Sequence, residues 1–213
     1  MPRSATEEDI AKAMDRKTDI LLDVRPIAAY NGWPLEKEAR GGHIQGAVPF
    51  PSTWIFDHTE EDLRNQLVQK GITSESNGIV YGYDLDDVEK AACRLRSIGF
   101  DKLRIFEGGL KAWASDPRNP MDRLPRYPHL VYAQWLDRLI HGEVCSEFEG
   151  GDFVVAHASF DNRDDYDSGH IPGAISLDTL FLEEPEHWNH RNPEELEKAL
   201  LSNGIAWDTT VVL

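Results

Sequence analysis

GGHIQGAVPF, from Gly41 to Phe50, decides the fold, because it returns as SGHIPGAISL from Ser168 to Leu177, with His170 lying 127 residues after His43. A second stretch, EDLRNQLVQKGITSESNGIV (Glu61 to Val80), returns as EELEKALLSNGIAWDTTVVL (Glu194 to Leu213), with Gly204 lying 133 residues after Gly71. The order is kept, and the longer PEHWNHRN stretch of the second half absorbs the six-residue difference. A repeat of this size predicts two similar domains.

Outward from these segments, apolar runs alternate with helical patterns, which predicts an α/β fold with a parallel sheet flanked by helices. The expected strands are Ile20 to Val24, Ala47 to Phe50, Gly78 to Gly82 and Leu103 to Glu107. Thr59 caps a helix carrying Leu63 and Leu67 that stops at Gly71, and Val88, Ala91, Ala92, Leu95 and Ile98 form one helical face that stops at Gly99. Residues 116–128 hold four prolines and no apolar period, so they read as a linker between domains at 1–124 and 125–213. The second half repeats the plan with a helix in YAQWLDRLIHG, strands FVVAHA and AISLD, and a helix capped by Asn192 with Pro193 in its first turn. The terminal TTVVL aligns with NGIV, so the counterpart of Tyr81 to about Trp113 is not in the sequence. The second domain is therefore expected to be incomplete, and the chain to be the N-terminal part of a longer protein.

With 22 Lys and Arg against 38 Asp and Glu, the net charge is −16, which excludes a phosphate-neutralising nucleic-acid protein. Hydrophobic residues at 40% supply a core that an acidic disordered chain lacks. No apolar run reaches the ~20 residues needed to span a bilayer, and MPRSATEEDI has no apolar signal region, so no membrane association is expected. Cys93 and Cys145 are too few for a disulfide framework. The expected location is the cytoplasm, or the periplasm if an upstream signal was removed.

Four segments in order, D-V-R (Asp23 to Arg25), GGHIQGA, the strand, loop and helix at Tyr81, and EGGLKAW (Glu107 to Trp113), resemble the rhodanese superfamily of sulfurtransferases. Trp135 to Leu213 resembles the middle of the tandem thiosulfate sulfurtransferases that join three rhodanese domains, in which the last domain carries catalysis. The resemblance implies a Cys directly after the third strand. That Cys opens a six-residue loop whose backbone N–H groups lower the thiol pKa and hold a persulfide. Aligned on Ala91 and Ala92, the loop here is Gly82, Tyr83, Asp84, Leu85, Asp86 and Asp87, with Gly82 at the Cys position and Asp87 where a basic residue is expected. Each close carboxylate would repel an anionic sulfur donor by about 1 kcal/mol in water and by more when partly desolvated.

The resemblance thus makes this chain a degenerate, non-catalytic part of a sulfurtransferase that moves sulfane sulfur from thiosulfate or a similar donor to cyanide or a thiol. No cofactor and no metal are implied, and the oligomeric state is open. The alternative is an inactive rhodanese-like module for protein interaction or regulation. A Cys-x5-Arg phosphatase relative has least support, since positions 82 and 87 hold neither Cys nor Arg.

Among other candidates, Cys93 lies beside Ala91, Ala92 and Leu95 and is expected in the core, and Cys145 in a loop as an unreactive thiol. His43 and His170, each in G-H-I-x-G-A, are expected to tie a loop to the sheet by a hydrogen bond. Arg40, in EARGGHI, is a candidate for a substrate cleft with His43, against the alternative of a solvated surface arginine. That cleft, beyond the carboxyl ends of the strands, would be walled by residues 83–87 and 40–44. His187, His190, Glu183, Glu184 and Glu186 lack the spacing that assures metal geometry. The acidic run from Asp161 to Asp167 reads as a solvated loop, and Trp33, Trp54 and Trp188 as packing residues.

Overall fold

The computed structural model describes residues 3–16 and 19–213. The chain forms two compact units, Met1–Tyr132 and Ala133–Leu213. In the first, the order is β1 (Arg3–Ser4), α1 (Glu7–Arg16), β2 (Asp19–Asp23), α2 (Ile27–Asn31), β3 (His43–Ile44), β4 (Val48–Pro49), α3 (Ser52–Asp57), α4 (Glu60–Gln69), β5 (Asn77–Tyr81), α5 (Leu85–Ser97), β6 (Leu103–Ile105), α6 (Gly109–Ser115) and β7 (Met121–Asp122).

Strands β1, β6, β5, β2 and β4 lie in that order in one parallel sheet, with Leu21 of β2 opposite Ile79 of β5 and Leu22 opposite Val48 of β4. Alternate strand residues face opposite sides, so each face needs its own helical cover. On one face Leu22, Val80 and Ile105 pack under Leu63 and Leu67 of α4 and Val88, Ala92 and Leu95 of α5. On the other, Leu21 and Ile79 pack under Ile10 and Ala13 of α1 and Leu110 and Trp113 of α6. Helix ends follow local chemistry. The Thr59 hydroxyl accepts from the Asp62 N–H, and the chain leaves α4 through Gly71 at φ 77°, which suits glycine.

The stretch expected to be a linker is partly structured. Strand β7 pairs antiparallel with β3, placing His43 opposite Asp122 and Ile44 opposite Met121. The Trp113 indole N–H donates to the Pro120 carbonyl at 3.0 Å, and the Trp33 indole to the Leu130 carbonyl at 3.1 Å, with Tyr127 and Tyr132 edge-on to Trp33. Prolines remove the apolar period without removing these contacts, and so they hid the element from the sequence pattern.

The second unit comprises α7 (Ala133–Ile140), β8 (Phe153–Ser159), α8 (Asp164–Ser168), β9 (Ile175–Asp178), α9 (Pro193–Ser202) and β10 (Thr210–Val212). Its parallel sheet runs β10, β8, β9, the order of β5, β2, β4 in the first unit. The registers coincide as well. Val155 opposite Val212 matches Leu21 opposite Ile79, and Ala156 opposite Ile175 matches Leu22 opposite Val48. His157 therefore stands where the first unit has Asp23, and Ser159 where it has Arg25.

Candidate functional site

Asp23 ends β2 and Tyr81 ends β5, and with the following Arg25 they form a polar layer at the carboxyl ends of the strands, where open α/β sheets bind ligands. The Arg25 guanidinium is buried and forks onto Asp23, with Nε to Oδ1 at 3.0 Å and Nη2 to Oδ2 at 2.7 Å, while Nη2 also donates to the Gly42 carbonyl at 2.7 Å. The Tyr81 hydroxyl donates to Asp23 Oδ2 at 2.8 Å and accepts from the Ile44 N–H at 3.2 Å. Such bidentate, fully partnered geometry is what makes a buried pair tolerable.

Above this layer, the Tyr83 hydroxyl donates to Glu38 and accepts from Arg25 Nη1 at 3.3 Å. Glu38 is buried, 3.7 Å from the same guanidinium, and the Tyr83 ring lies 4.9 Å from Arg25 Cζ in cation–π contact. Burial works against the Arg25 charge, but the Asp23 carboxylate overrides it and raises the pKa. Burial also raises the Tyr83 and Tyr81 hydroxyl pKa values, assisted by Glu38 and Asp23 respectively. The cationic head that could face a sulfur anion is thus shared between two carboxylates and covered by a tyrosine ring.

The loop itself is closed in two further ways. Gly82 is buried, and a Cβ there would stand 2.7 Å from Val88 Cγ2 and 3.2 Å from Val24 Cγ2, so no room is left for a cysteine side chain without displacement. The Gly82 carbonyl accepts from the Leu110 N–H at 3.3 Å. At the start of α5, Asp84 Oδ1 accepts from the Asp87 N–H at 3.1 Å. The helix N-terminus that would hold an anion therefore carries an anion from its own chain. Asp84, Asp86 and Asp87 are exposed with oxygens within 4.8 Å of one another, and Asp86 is paired with Lys90 at 2.5 Å.

The remaining candidates fall into place by their partners. Arg40 does not present its guanidinium to a cleft: Nε donates to the Ala114 carbonyl at 3.1 Å, Nη1 to Asn119 at 3.0 Å and Nη2 to Asp116 at 2.7 Å, fastening the end of α6. His43 Nδ1 lies 2.8 Å from the Tyr30 carbonyl with the two rings stacked at 3.6 Å, and the Tyr30 hydroxyl donates to the Ala47 carbonyl at 2.7 Å. His170 repeats this on Tyr166, at 2.8 Å and 3.9 Å, with the Tyr166 hydroxyl donating to the Ala174 carbonyl at 2.8 Å. Each histidine is a loop tie.

Cys93, expected in the core, is exposed, because the buried stripe of α5 runs through Val88, Ala91, Ala92 and Leu95 and position 93 turns outward. Cys145 is buried, its thiol 3.5 Å from the Trp135 carbonyl. Trp33 is buried, whereas Trp188 is 56% exposed beside Phe160. Part of the acidic run forms α8, and His187 pairs with Glu184 at 3.0 Å. Sequence reasoning did not single out Glu38 or Tyr81. The available signal was the Asp23-x-Arg25 pair at a strand end, which requires further polar partners once buried.

A family profile described as a rhodanese-like domain matches residues 6–116. Thiosulfate sulfurtransferase YnjE of Escherichia coli K12 is 33% identical over 192 residues, covering 90% of this chain and 43% of its own length. The 3-mercaptopyruvate sulfurtransferase of the same organism is 23% identical, covering 84% and 71%. The anaerobic ergothioneine biosynthesis enzyme of Chlorobium limicola, solved in complex with trimethyl histidine, is 41% identical with a TM-score of 0.94, covering 100% of this chain and 49% of that one. The chain spans about half the length of the first and third of these proteins. By the matched domain, the identity to sulfurtransferases and the shared parallel sheet, the chain belongs to the rhodanese family.

Proposed function

We propose that these 213 residues are the non-catalytic N-terminal portion of a tandem rhodanese-type sulfurtransferase whose persulfide cysteine lies outside them. In the parent reaction, a thiolate attacks the outer sulfur of thiosulfate, the S–S bond breaks and sulfite departs with its electron pair. Cyanide or a thiol then takes the sulfane sulfur from the persulfide and restores the thiolate. The carrying observation is Gly82: the position that would bear the nucleophile has no side chain and is walled by Val88. The role left to the first unit is that of a rigid scaffold or docking surface for the catalytic part.

The likeness to the ergothioneine enzyme favours a second reading of the acceptor. Its 41% identity extends over the whole chain, and a solved structure of EanB, also 41% identical over 99% of this chain, holds a cysteine persulfide in a tetrahedral intermediate state with ergothioneine. On that reading the acceptor is an imidazole carbon of trimethyl histidine instead of cyanide: the carbon gives up its proton and takes the sulfane sulfur, and the S–S electron pair leaves with the cysteine thiolate.

Both readings are tested together. The 213-residue chain and the longer polypeptide are each supplied with thiosulfate and either cyanide or trimethyl histidine, and thiocyanate and thione are measured. The proposal expects no product from the short chain and product from the long one, the acceptor used deciding between the readings. Turnover by the short chain, lost in Cys93→Ser, would overturn it.

A further inference from the structure

The sheet of the first unit has a second polar end. Asp23 and Tyr81 close β2 and β5, whereas Asp19 and Asn77 open them, side by side in register. At these amino ends lies a hollow of about 770 Å³, bounded by Asp19, Asn77, Arg3 of β1, Arg96 of α5 and Arg104 of β6. Arg3 stands directly opposite Arg104 on the neighbouring strand, so both side chains leave the same face. Two guanidiniums held side by side repel unless anions offset them. Arg104 has such an anion, its Nη1 lying 2.7 Å from Asp9 Oδ1 of α1. Arg3 has no ion pair among the described residues. Arg96 is fixed by its Nη2, which donates to the Leu103 carbonyl, and it too has no carboxylate partner among the described residues. The fourth cation of the lining, Lys102, is taken by Glu75 at 2.6 Å. A net charge of −16 repels anions from the molecule as a whole, so unneutralised arginines gathered in one hollow run against the chain's own composition.

Charge and donor counting limit the ligand. Arg3 and Arg96 leave two positive charges without a partner, and a phosphate monoester brings nearly two negative ones at neutral pH, where a carboxylate brings one. Each guanidinium fork also matches two phosphate oxygens. Asp19 and Asp101 line the same hollow, make no ion pair among the described residues, and with Asn77 supply acceptors for hydroxyl groups. Among the described residues of the lining, Leu103 is the one apolar side chain and it is buried, so an aromatic base finds no face to stack on. We infer that this hollow binds a sugar phosphate, its phosphate held by Arg3 and Arg96 beside Arg104 and its hydroxyls donating to Asp19, Asp101 and the Asn77 carboxamide oxygen. The hollow lies at the other end of the strands from Gly82, and no step of sulfur transfer enters it.

The test titrates ribose 5-phosphate into the 213-residue chain and follows backbone amide shifts by NMR, with ribose, inorganic phosphate and adenosine monophosphate as comparators. Saturable shifts are expected at Asp19, Asn77 and Lys102 with ribose 5-phosphate, and none with ribose. Arg3→Gln and Arg96→Gln are each expected to weaken binding by about tenfold, through the loss of charge-assisted hydrogen bonds. Asp19→Ala narrows the preference for ribose 5-phosphate over inorganic phosphate, since only the hydroxyl contact is removed. Adenosine monophosphate binds no more tightly than ribose 5-phosphate. Should Arg96→Gln fail to fold, Arg3→Gln, at an exposed position on the edge strand, carries the test. The absence of saturable shifts at millimolar ribose 5-phosphate, or an affinity unchanged in Arg3→Gln, would overturn the inference. So would inorganic phosphate binding as tightly as ribose 5-phosphate, which would leave the hydroxyls unread, or tighter binding of adenosine monophosphate, which would require a base contact. None of these readouts involves sulfur transfer, so this inference and the proposed activity fail separately.

Discussion

Val88 Cγ2 lies 2.7 Å from the point where Gly82 would carry a Cβ, so the first turn of α5 fills the space that a side chain at position 82 would need. Val88 is also part of the core shared by α4, α5 and the sheet, which prevents it from yielding freely. Gly82→Cys is therefore expected to cost roughly 1–3 kcal/mol through overpacking, measured by denaturant unfolding, and to form no thiocyanate. Adding Val88→Ala returns space but not activity, because Asp84 still caps the helix and Tyr83 still covers Arg25. Thiocyanate formation in the double variant at rates well above the parent chain would refute the account of the closed loop.

The Asp84 carboxylate is the internal anion of α5, and its removal separates capping from repulsion. Asp84→Ala is expected to lower stability by about 1 kcal/mol, with Asp84→Asn losing less, since an amide oxygen still accepts from the Asp87 N–H. A neutral result for Asp84→Ala in thermal unfolding would mean that the 3.1 Å bond contributes nothing.

Arg25 holds Asp23 and Glu38 together in a region closed to solvent. Arg25→Met leaves two buried carboxylates without their cation, and the expected loss is about 3–5 kcal/mol. Tyr83→Phe removes one hydroxyl from the same network and should cost about 0.5–1.5 kcal/mol. A reversed order of these two losses in urea titrations would show that the Tyr83 hydroxyl, and not the ion pair, holds the layer.

Much of this was legible in the chain before folding. The repeat of GHI-x-GA located two sheets with the same strand order, because strand register and turn glycines are local properties of sequence. What sequence could not supply was the third dimension of the site. Glu38 is 45 residues from Tyr83, and nothing in either segment announces the other. Arg40 looked available for a ligand because its partners are backbone carbonyls, which have no sequence identity to read. Cys93 was misplaced because two adjacent alanines suggested burial, whereas a helix turns 100° per residue and sends the next position outward.

That exposure makes the two thiols distinguishable. Cys93 should react with an excess of maleimide in the native protein, while Cys145, buried against the Trp135 carbonyl, should react only after opening. Mass spectrometry of briefly labelled, digested protein reads both. Equal labelling would contradict either the outward turn of position 93 on α5 or the burial of Cys145.

Alkali should dismantle the polar layer from its tyrosines. Burial raises the pKa of Tyr83, with Glu38 adding to it; burial raises that of Tyr81 with Asp23; and the Tyr30 hydroxyl is pushed up to about 12 by burial, Asp23 and Asp122. A phenol raised in the folded state binds its proton more tightly there than in the unfolded chain. Its contribution is therefore complete below the ordinary tyrosine value near 10 and is lost as pH rises toward the folded value. Unfolding free energy is expected to be flat from pH 8 to about 9.5 and to fall steadily from there to pH 12. Tyr83→Phe starts from a lower stability but falls less steeply, because one of the shifted groups no longer titrates. Identical slopes for Tyr83→Phe and the parent chain would place Tyr83 in water, with Glu38 and Arg25 held by each other alone.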